Sequence, residues 1–280
     1  MPPAAAQHGF LGLRFAQDAR RRTALMGCEQ RFPLRMTVPM YLDDVDRGMA
    51  FVYVQNPTGG VFADDHLVTE VELGAGARVH LTSQSATKLY DMRGGHASQK
   101  LRFTLGEDAY LEYLPDALIP HAGARFTQRS SISLVPGATC VTSELIGPGR
   151  RARGERFAYR ELTLETEVRC EERVLCGDAL RLDPTMARPS VPGVLGARDY
   201  AVSMLVIAPG RDVDRLVDRL CDGFDADAEN LGAAARLPND AGVIVRALSA
   251  TSIGARRALT SAWRTIRGEL LSLPLPRTRK

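Results

Sequence analysis

Alternating apolar and polar positions run through the first two thirds of the chain. In one run, Leu67, Val71 and Leu73 lie opposite Glu70 and Glu72. The same alternation appears in the runs Lys100–Leu105, Leu111–Tyr113 and Glu161–Glu165. A period of two residues is that of a β-strand with one buried face. Because Gly and Pro interrupt these runs at short intervals, the pattern predicts a mostly β fold.

A weak internal repeat accompanies this alternation, in which a strand, a tight turn, a small residue and a second strand recur. The turns follow Leu73, Leu105 and Leu134, with a weaker copy after Leu164, so the spacings are 32, 29 and 30 residues. Units of this size can stack into a helical, solenoid-like β-sheet. A meander of hairpins would give similar spacings, so both arrangements remain open at this point.

Helical periodicity appears only late in the chain. Apolar residues recur at i, i+3, i+4 and i+7 between Val213 and Leu220. Gly210 or Asp212 is expected to begin this helix and Gly223 to end it.

A second apolar stripe predicts a longer helix near the C-terminus. Its members are Leu259, Ala262, Trp263, Ile266 and Leu270. Four arginines fall mostly off the stripe, namely Arg256, Arg257, Arg264 and Arg267. Thr251 or Ser252 can cap the helix, and Pro274 and Pro276 stop it. We predict one β-rich domain over residues 1–280, to which residues about 200–280 add two helices.

Composition narrows the class of protein. The chain has 280 residues, 45% hydrophobic and 25% charged, and a net charge of +3. This is a globular composition, and the charge excess is too small to indicate nucleic-acid binding. The five cysteines are odd in number and form no Cys-x-x-Cys, so neither a disulfide framework nor a closed zinc site is indicated. The N-terminus lacks a signal-peptide pattern, and the longest apolar run, Ala201–Pro209, is too short to span a membrane. We therefore expect a soluble cytoplasmic protein.

Two segments have residue types that suit metal or nucleophilic chemistry. Carboxylates beside an imidazole, as in Asp64-Asp65-His66, suit nickel or zinc, although adjacent residues on an extended chain point to opposite sides. An Asp-rich turn is the alternative interpretation. The hydroxyl-rich run Thr82–Lys88 has no Gly-x-Ser-x-Gly elbow. It is better explained as a strand whose polar face lines a wet cavity.

Two further segments have more than one interpretation. Glu112–Asp116 is apolar enough to be core, and the nearby His121 is isolated in the sequence. An isolated histidine is usually structural or exposed. The arginine-rich segment Gly149–Arg156 could bind an acidic partner or a phosphate, or be a solvated turn. No phosphate-binding loop is present in the sequence, and no nucleophile, base and orienting group come together.

The order of several segments resembles that of the UreD (UreH) family of urease accessory proteins. The resembling stretches are Asn56–Gly60, Leu81–Tyr90, Leu111–Asp116, Ile119–Pro120, Gly123–Phe126 with Gln128, Gly149–Arg150, Gly154–Glu155 and Val245–Ala247. The resemblance implies a β-rich fold of stacked, helical sheets with a few helices. It also implies a non-enzymatic scaffold that joins apo-urease to UreF and, through UreF, to the GTPase UreG. No cofactor is expected to be tightly bound, and nickel would be an ion in transit through an internal polar channel.

The resemblance also suggests which residues would meet the ion. Asp65, Glu144 and Glu155 are the candidate channel carboxylates, and Ser83 and Ser85 the candidate hydroxyls. His121 stands where the family often has Phe and is a further candidate ligand. Ala63-Asp64 also departs from the Gly-Asp that the family usually has. Oxygen ligands suit a conduit because they hold nickel more weakly than clusters of Cys or His do.

Two other functions remain as alternatives. One is a metal-dependent hydrolase that uses Asp64, Asp65, His66 and His121. The other is a plain β-solenoid binding module with no metal role.

Overall fold

The computed structural model describes residues 6–278. Residues 1–5, which include most of the N-terminus considered above for a signal peptide, and residues 279–280 lie outside this range. The strands are β1 (His8–Gln17), β2 (Thr23–Arg31), β3 (Arg35–Met36), β4 (Ala50–Gln55), β5 (His66–Leu73), β6 (Arg78–Ser83), β7 (Thr87–Leu89), β8 (Ala97–Leu105), β9 (Tyr110–Tyr113), β10 (Leu118–Pro120), β11 (Arg125–Leu134), β12 (Thr139–Ile146), β13 (Glu161–Cys170), β14 (Arg173–Leu182), β15 (Tyr200–Ile207), β16 (Asn230–Arg236) and β17 (Gly242–Ser249). The α-helices are α1 (Asp214–Asp225) and α2 (Ser252–Leu271), and short 3₁₀ helices occur at Arg151–Arg153 and Pro238–Asp240.

Two sheets face each other across the interior. The first has seven strands in the order β14-β13-β11-β8-β5-β1-β2. The second runs β16-β17-β15-β12-β9-β6-β4-β3, with β7 and β10 paired beside it. Strands β5, β8, β11 and β13 are parallel neighbours in the first sheet, and β4, β6, β9 and β12 are parallel neighbours in the second. The chain passes from one sheet to the other in each coil, which makes a β-solenoid of about four turns.

This winding confirms the stacked interpretation of the repeat, since hairpins would pair antiparallel. Leu73 is in register with Leu105, and Leu105 with Leu134. The turn after each of these three residues contains one residue with positive φ, at Gly76, Asp108 and Gly137. Each is followed by a fully buried alanine, Ala77, Ala109 or Ala138. The repeat therefore encodes a left-handed turn position and a small residue that fits beneath the next coil.

The fourth copy of the repeat was predicted in the wrong register. Leu134 pairs with Cys170, while Leu164 pairs with Gln128. The last coil is longer because the arginine-rich segment 147–160, with its 3₁₀ helix, is inserted between β12 and β13. A spacing of 30 residues from Leu134 therefore points to the wrong residue of β13.

Both predicted helices are present, but both ends of α1 differ from the prediction. The helix begins at Asp214, with Val213 at its N-cap, and not at Gly210 or Asp212. Helix α1 continues past Gly223 to Asp225, because Phe224 is buried against β16, where its ring occupies the space beside Gly232. Helix α2 begins as predicted, with the Thr251 side chain accepting a hydrogen bond of 3.0 Å from Gly254 N–H. No helix among residues 6–278 is long and apolar enough to cross a membrane.

Two apolar cores result from this arrangement. One lies between the sheets and includes Leu73, Leu81, Phe103, Leu105, Phe126 and Leu134. The other lies between the second sheet and the helices and includes Phe51, Val141, Met204, Trp263 and Ile266. The stripe predicted for α2 therefore packs on the second sheet. Arg267 was expected off this stripe, but its side chain is fully buried and pairs with buried carboxylates.

Candidate functional site: a polar cavity inside the solenoid

Side chains that point inward from the first sheet form rows across the coils, and the rows differ in polarity. Near the tight turns the rows are apolar, as in Val71, Phe103 and Ile132. Toward the other end of the strands, Gln99 is in register with Gln128. The next row contains Thr69, Leu101, Ser130 and Thr166. One half of the interior is therefore a dry core, and the other half carries amide and hydroxyl groups.

A cavity of about 90 Å³ occupies the polar half. Its polar lining includes Ser83, Ser85, Gln99, Tyr113, Gln128 and Glu144. The hydroxyl-rich segment 83–87 forms one wall. Since about 10–15 Å³ of such space is enough for one water molecule, this cavity has room for several.

Two further spaces adjoin this main cavity. A constriction of about 10 Å³, here called the neck, shares Tyr113, Gln128 and Glu144 with it. An open groove of about 610 Å³ on the first sheet, here called the outer groove, shares Ser130 and Asp178 with the neck. The three spaces therefore adjoin one another, from the interior of the solenoid to the surface of its first sheet.

Glu144 stands where the main cavity meets the neck. Gln128 Nε2 donates a hydrogen bond of 2.8 Å to Glu144 Oε1. Burial raises the pKa of Glu144 to about 7, and the nearby Asp178 carboxylate acts in the same direction. Arg246 and the bond from Gln128 oppose this shift. Glu144 is thus a buried carboxyl group that changes its charge state near neutral pH.

Charged and hydroxyl groups continue along the neck. Arg246 on β17 donates hydrogen bonds to Asp178 on β14 and to Ser203 on β15. Asp178 and Ser203 both line the neck. The ion pair therefore joins the two sheets beside Glu144.

Of the sequence-predicted site residues, Ser83, Ser85 and Glu144 share the main cavity. The Ser83 hydroxyl donates to the Ser85 carbonyl at 3.0 Å and accepts from Asp116 N–H at 2.8 Å. Ser83 thus shapes the wall as well as lining it, whereas the side chain of Ser85 is exposed.

Three other predicted residues lie elsewhere. Asp65 is buried and accepts hydrogen bonds from Gln7 N–H and Phe62 N–H, both at 2.9 Å. Glu155 accepts from Arg150 Nε at 2.8 Å and from Ala122 N–H at 3.1 Å. The hydrogen bond from Arg150 is the main reason that the pKa of Glu155 falls to about 2. Both carboxylates therefore hold turns together.

His121, the remaining predicted ligand, also lies away from the main cavity. It is buried and edge-on to Tyr90, and the two ring centroids are 5.0 Å apart. Burial and then the charge of Arg150 lower the pKa of His121.

The residues of the hydrolase alternative do not form a common site. Asp65 is committed to backbone N–H groups, and the ring of the exposed His66 lies 2.7 Å from Ser98 Oγ. Asp64 has a positive φ in an exposed turn position, and His121 belongs to another coil. Across residues 6–278, no three or more His, Cys, Asp or Glu side chains gather closely enough to hold a metal ion.

The arginine-rich segment is a turn held by ion pairs. Arg151 and Arg156 both pair with the buried Asp199, which precedes β15. Arg150 pairs with Glu155. The segment is therefore an ion-paired turn with Arg153 exposed at its tip, and not the freely solvated turn considered from the sequence.

A family model described as UreD urease accessory protein matches residues 7–280. A urease accessory protein UreD from Mycolicibacterium gilvum is 36% identical over 266 residues, covering 95% of this chain and 96% of the relative. A urease accessory protein UreD 2 from Streptomyces griseus is 35% identical over 282 residues, covering 100% of this chain and 96% of the relative. A urease accessory protein UreD from Haloarcula marismortui is 37% identical over 229 residues, covering 82% of this chain and 76% of the relative. This chain belongs to the UreD family of urease accessory proteins.

The main cavity lies among segments that this chain shares with the UreD family. Several segments on which the sequence resemblance rested lie at the cavity and its neck, including the hydroxyl-rich segment, Gln128 and Arg246. Relatives of this chain are named as accessory proteins of urease, which supports a role in urease maturation.

The buried ion network around Glu112 was not predicted from the sequence of this UreD-family chain. Glu112 on β9 is fully buried on the face of the second sheet that meets α2. It contacts His80 Nδ1 at 2.7 Å, and it accepts hydrogen bonds of 2.9 Å from Tyr110 Oη and from Arg267 Nη1. Arg267 also pairs with buried Asp43. This buried ion network explains why Arg267 lies inside the protein, and it ties helix α2 to the solenoid.

Proposed function

We propose that this protein is a maturation scaffold that bridges apo-urease to UreF and, through UreF, to UreG. We further propose that nickel, as a transient cargo, passes through the main cavity and the neck toward urease. The family membership supports the scaffold role. The single observation that carries the nickel path is the Glu144-lined cavity inside the solenoid.

The chemistry of the cavity suits an ion in transit. Its oxygen and amide groups are weak, exchangeable ligands for a borderline metal such as Ni²⁺, whereas a Cys or His cluster would retain the ion. Because the neck has room for about one water molecule, a hydrated ion has to lose water there. Glu144 and Asp178 are the carboxylates that line this point and can replace the lost water.

In this proposal the chain itself catalyses no reaction. Nucleotide hydrolysis is assigned to UreG, in agreement with the lack of a phosphate-binding loop in this sequence. The protein is expected to work in the cytoplasm with no tightly bound cofactor.

Exposed apolar side chains supply surface for partners. Met186, Val191 and Val194 are exposed in the long connection between β14 and β15. Exposed apolar surface can mark a protein interaction site, and we propose that this connection contributes to one.

The first test compares cells that carry the urease operon with and without this gene, in medium containing nickel. Deletion is expected to leave abundant urease that is poor in nickel and inactive, and restoring the gene is expected to recover both nickel content and activity. Full activity in the deletion strain would contradict the proposal.

The second test isolates the path. Glu144→Ala is expected to lower the nickel content of urease while co-purification with UreF and urease is unchanged. Glu172→Ala, which makes the same change at an exposed position in the β13–β14 turn, is the matched control. Glu155→Ala tests the second carboxylate predicted from the sequence. If the Glu144 variant assembles and activates urease fully, this path is excluded while the scaffold role stands.

A further inference from the structure

Two histidines lie side by side on the outer face of the first sheet. His8 on β1 is in register with His66 on β5, and these strands are parallel neighbours. Their ring centroids are 5.3 Å apart, with 34° between the ring planes. Both side chains are exposed. The fold therefore brings together two imidazoles that are 58 positions apart in sequence.

A third strand orients one of these rings. Ser98 on β8 is in register with His66, and its hydroxyl lies 2.7 Å from His66 Nδ1. A histidine that binds a metal through Nε2 usually gives its Nδ1 proton to an oxygen of this kind. The contact with Ser98 thus leaves Nε2 of His66 as the nitrogen available for a ligand.

The separation of the rings suits a shared ion. With each nitrogen about 2.1 Å from a metal, two coordinated imidazoles have centroids roughly 4.6–5.3 Å apart for inter-ligand angles of about 90–110°. The observed 5.3 Å lies at the upper end of this range. Because both side chains are exposed, small rotations about their side-chain torsions can bring the nitrogens onto one ion at little cost.

We propose that His8 and His66 form a surface site for a divalent first-row transition metal, such as Ni²⁺ or Zn²⁺, with water completing the coordination. Imidazole is a preferred ligand of these ions. Since no third His, Cys, Asp or Glu joins the pair among the described residues, the site is a weak, exchangeable one. The neighbouring His96 has its own partner, with Nε2 2.9 Å from Thr127 Oγ1.

The site is separate from the main cavity. Leu67 and Gln99, which follow His66 and Ser98, line that cavity from the inner face of the same sheet. Metal binding at the histidine pair therefore does not depend on the proposed nickel path, and it can be tested on the protein without urease.

The first measurement is calorimetric titration of the tag-free full chain with Ni²⁺, repeated with Zn²⁺. His66→Gln and His8→Gln each remove a proposed ligand, so each is expected to weaken metal binding at this site at least about tenfold. Ser98→Ala is expected to produce a smaller loss. Glu72→Gln, which removes an exposed carboxylate from the same strand, is the control and is expected to change nothing.

Two outcomes would overturn the site. One is titration curves of the histidine variants that match those of the wild type. The other is an equal loss in the Glu72 variant, which would mean attraction by surface charge alone. Glu144→Gln is expected to leave this site intact, so failure here is distinguishable from failure of the nickel path.

A spectroscopic readout identifies the ligands directly. Among the five histidines of the chain, Zn²⁺ is expected to shift the ring ¹⁵N resonances of His8 and His66 only, with His66 coordinated through Nε2. Thermal unfolding of each variant checks that the fold is retained. Shifts confined to other histidines would exclude the proposed pair.

Discussion

Two buried carboxylates on neighbouring strands of the second sheet have opposite surroundings. Glu112 on β9 contacts a histidine, a tyrosine and the guanidinium of Arg267. Burial acts to raise its pKa, but the hydrogen bond and charge of His80 and the charge of Arg267 outweigh that effect, so the pKa of Glu112 is lowered. Glu144 on β12 has one hydrogen bond, from Gln128, and borders open space, and burial raises its pKa to about 7.

The difference separates a structural carboxylate from a candidate functional one. Glu112 is saturated with partners and lies between the solenoid and α2, so it holds elements together. Glu144 has unused acceptor capacity beside a cavity and shares its surroundings with Asp178. A site that binds and releases an ion needs acceptor groups that are not already hydrogen-bonded. Burying a carboxylate with few partners is expected to lower the stability of the fold.

The largest expected effect is the loss of the cation from the buried ion network. Arg267→Met should destabilise the protein by about 3–5 kcal/mol, because the carboxylates of Glu112 and Asp43 stay buried without their partner. Urea unfolding at pH 7 measures this loss. Arg264→Met, at an exposed position of the same helix, is the control and should stay within about 0.5 kcal/mol of the wild type. Equal stability of the two variants would contradict the structural role of the network.

Removal of the structural carboxylate should have a smaller, pH-dependent effect. Glu112→Gln is expected to lower the free energy of unfolding by about 1.5–3 kcal/mol at pH 7. The loss is smaller than for Arg267→Met because Arg267 keeps its ion pair with Asp43. Because the folded pKa of Glu112 lies below its unfolded value of 4.5, its contribution is present above that pH and is lost as the pH falls through the folded pKa. Unfolding curves from pH 3 to 8 should therefore show the variant approaching the wild type in acid. A constant difference would show that Glu112 does not titrate in this way.

Removal of the candidate functional carboxylate, Glu144, should change stability in the opposite direction. The folded pKa of Glu144 is about 7, against 4.5 unfolded, so the wild type loses stability as the pH rises between these values. Glu144→Gln removes that loss and should stabilise the protein by up to about 3 kcal/mol above pH 7, with no gain below about pH 4.5. Unfolding at matched pH values measures this. A destabilised variant at pH 8 would mean that Glu144 is structural, like Glu112.

An exposed ion pair provides the smallest effect and a reference for both carboxylates. Arg129 Nε lies 2.8 Å from Glu165 on the outer face of the first sheet, where the Arg129 side chain is exposed and the Glu165 side chain is 44% exposed. Glu165→Gln should change stability by less than about 1 kcal/mol, and less still at high salt. The same unfolding assay at low and high salt checks this, and a loss as large as that of Glu112→Gln would remove the contrast between buried and exposed pairs.

Much of the fold was predictable because it repeats a local rule. The alternation of Leu67, Val71 and Leu73 with glutamates identified β5. The turns after Leu73, Leu105 and Leu134 identified two successive coil lengths. The late apolar stripes identified both helices. The inserted segment before β13 hid the register of the last coil, since the length of an insertion does not show how the chain after it pairs.

The candidate site was predictable only in part. Ser83, Ser85 and Glu144 came from the family resemblance, and they lie together at one cavity. The pairing of His80 with Glu112 could have been found, because they are 32 residues apart, the same offset as Leu73 and Leu105. Nothing local marked Arg267 as buried, since its partners Glu112 and Asp43 are 155 and 224 positions away in sequence.

By itself the sequence determined the β-rich coils, their turns, the two late helices and the family, because these follow from periodicity, turn chemistry and ordered motifs. The tertiary structure decided which polar residues face a cavity and which are bound into a network. Burial and the neighbours contributed by distant strands set the charge state of a carboxylate, and those neighbours are brought together only when the coils stack. For the same reason the pairing of His8 with His66 appears only in the folded sheet.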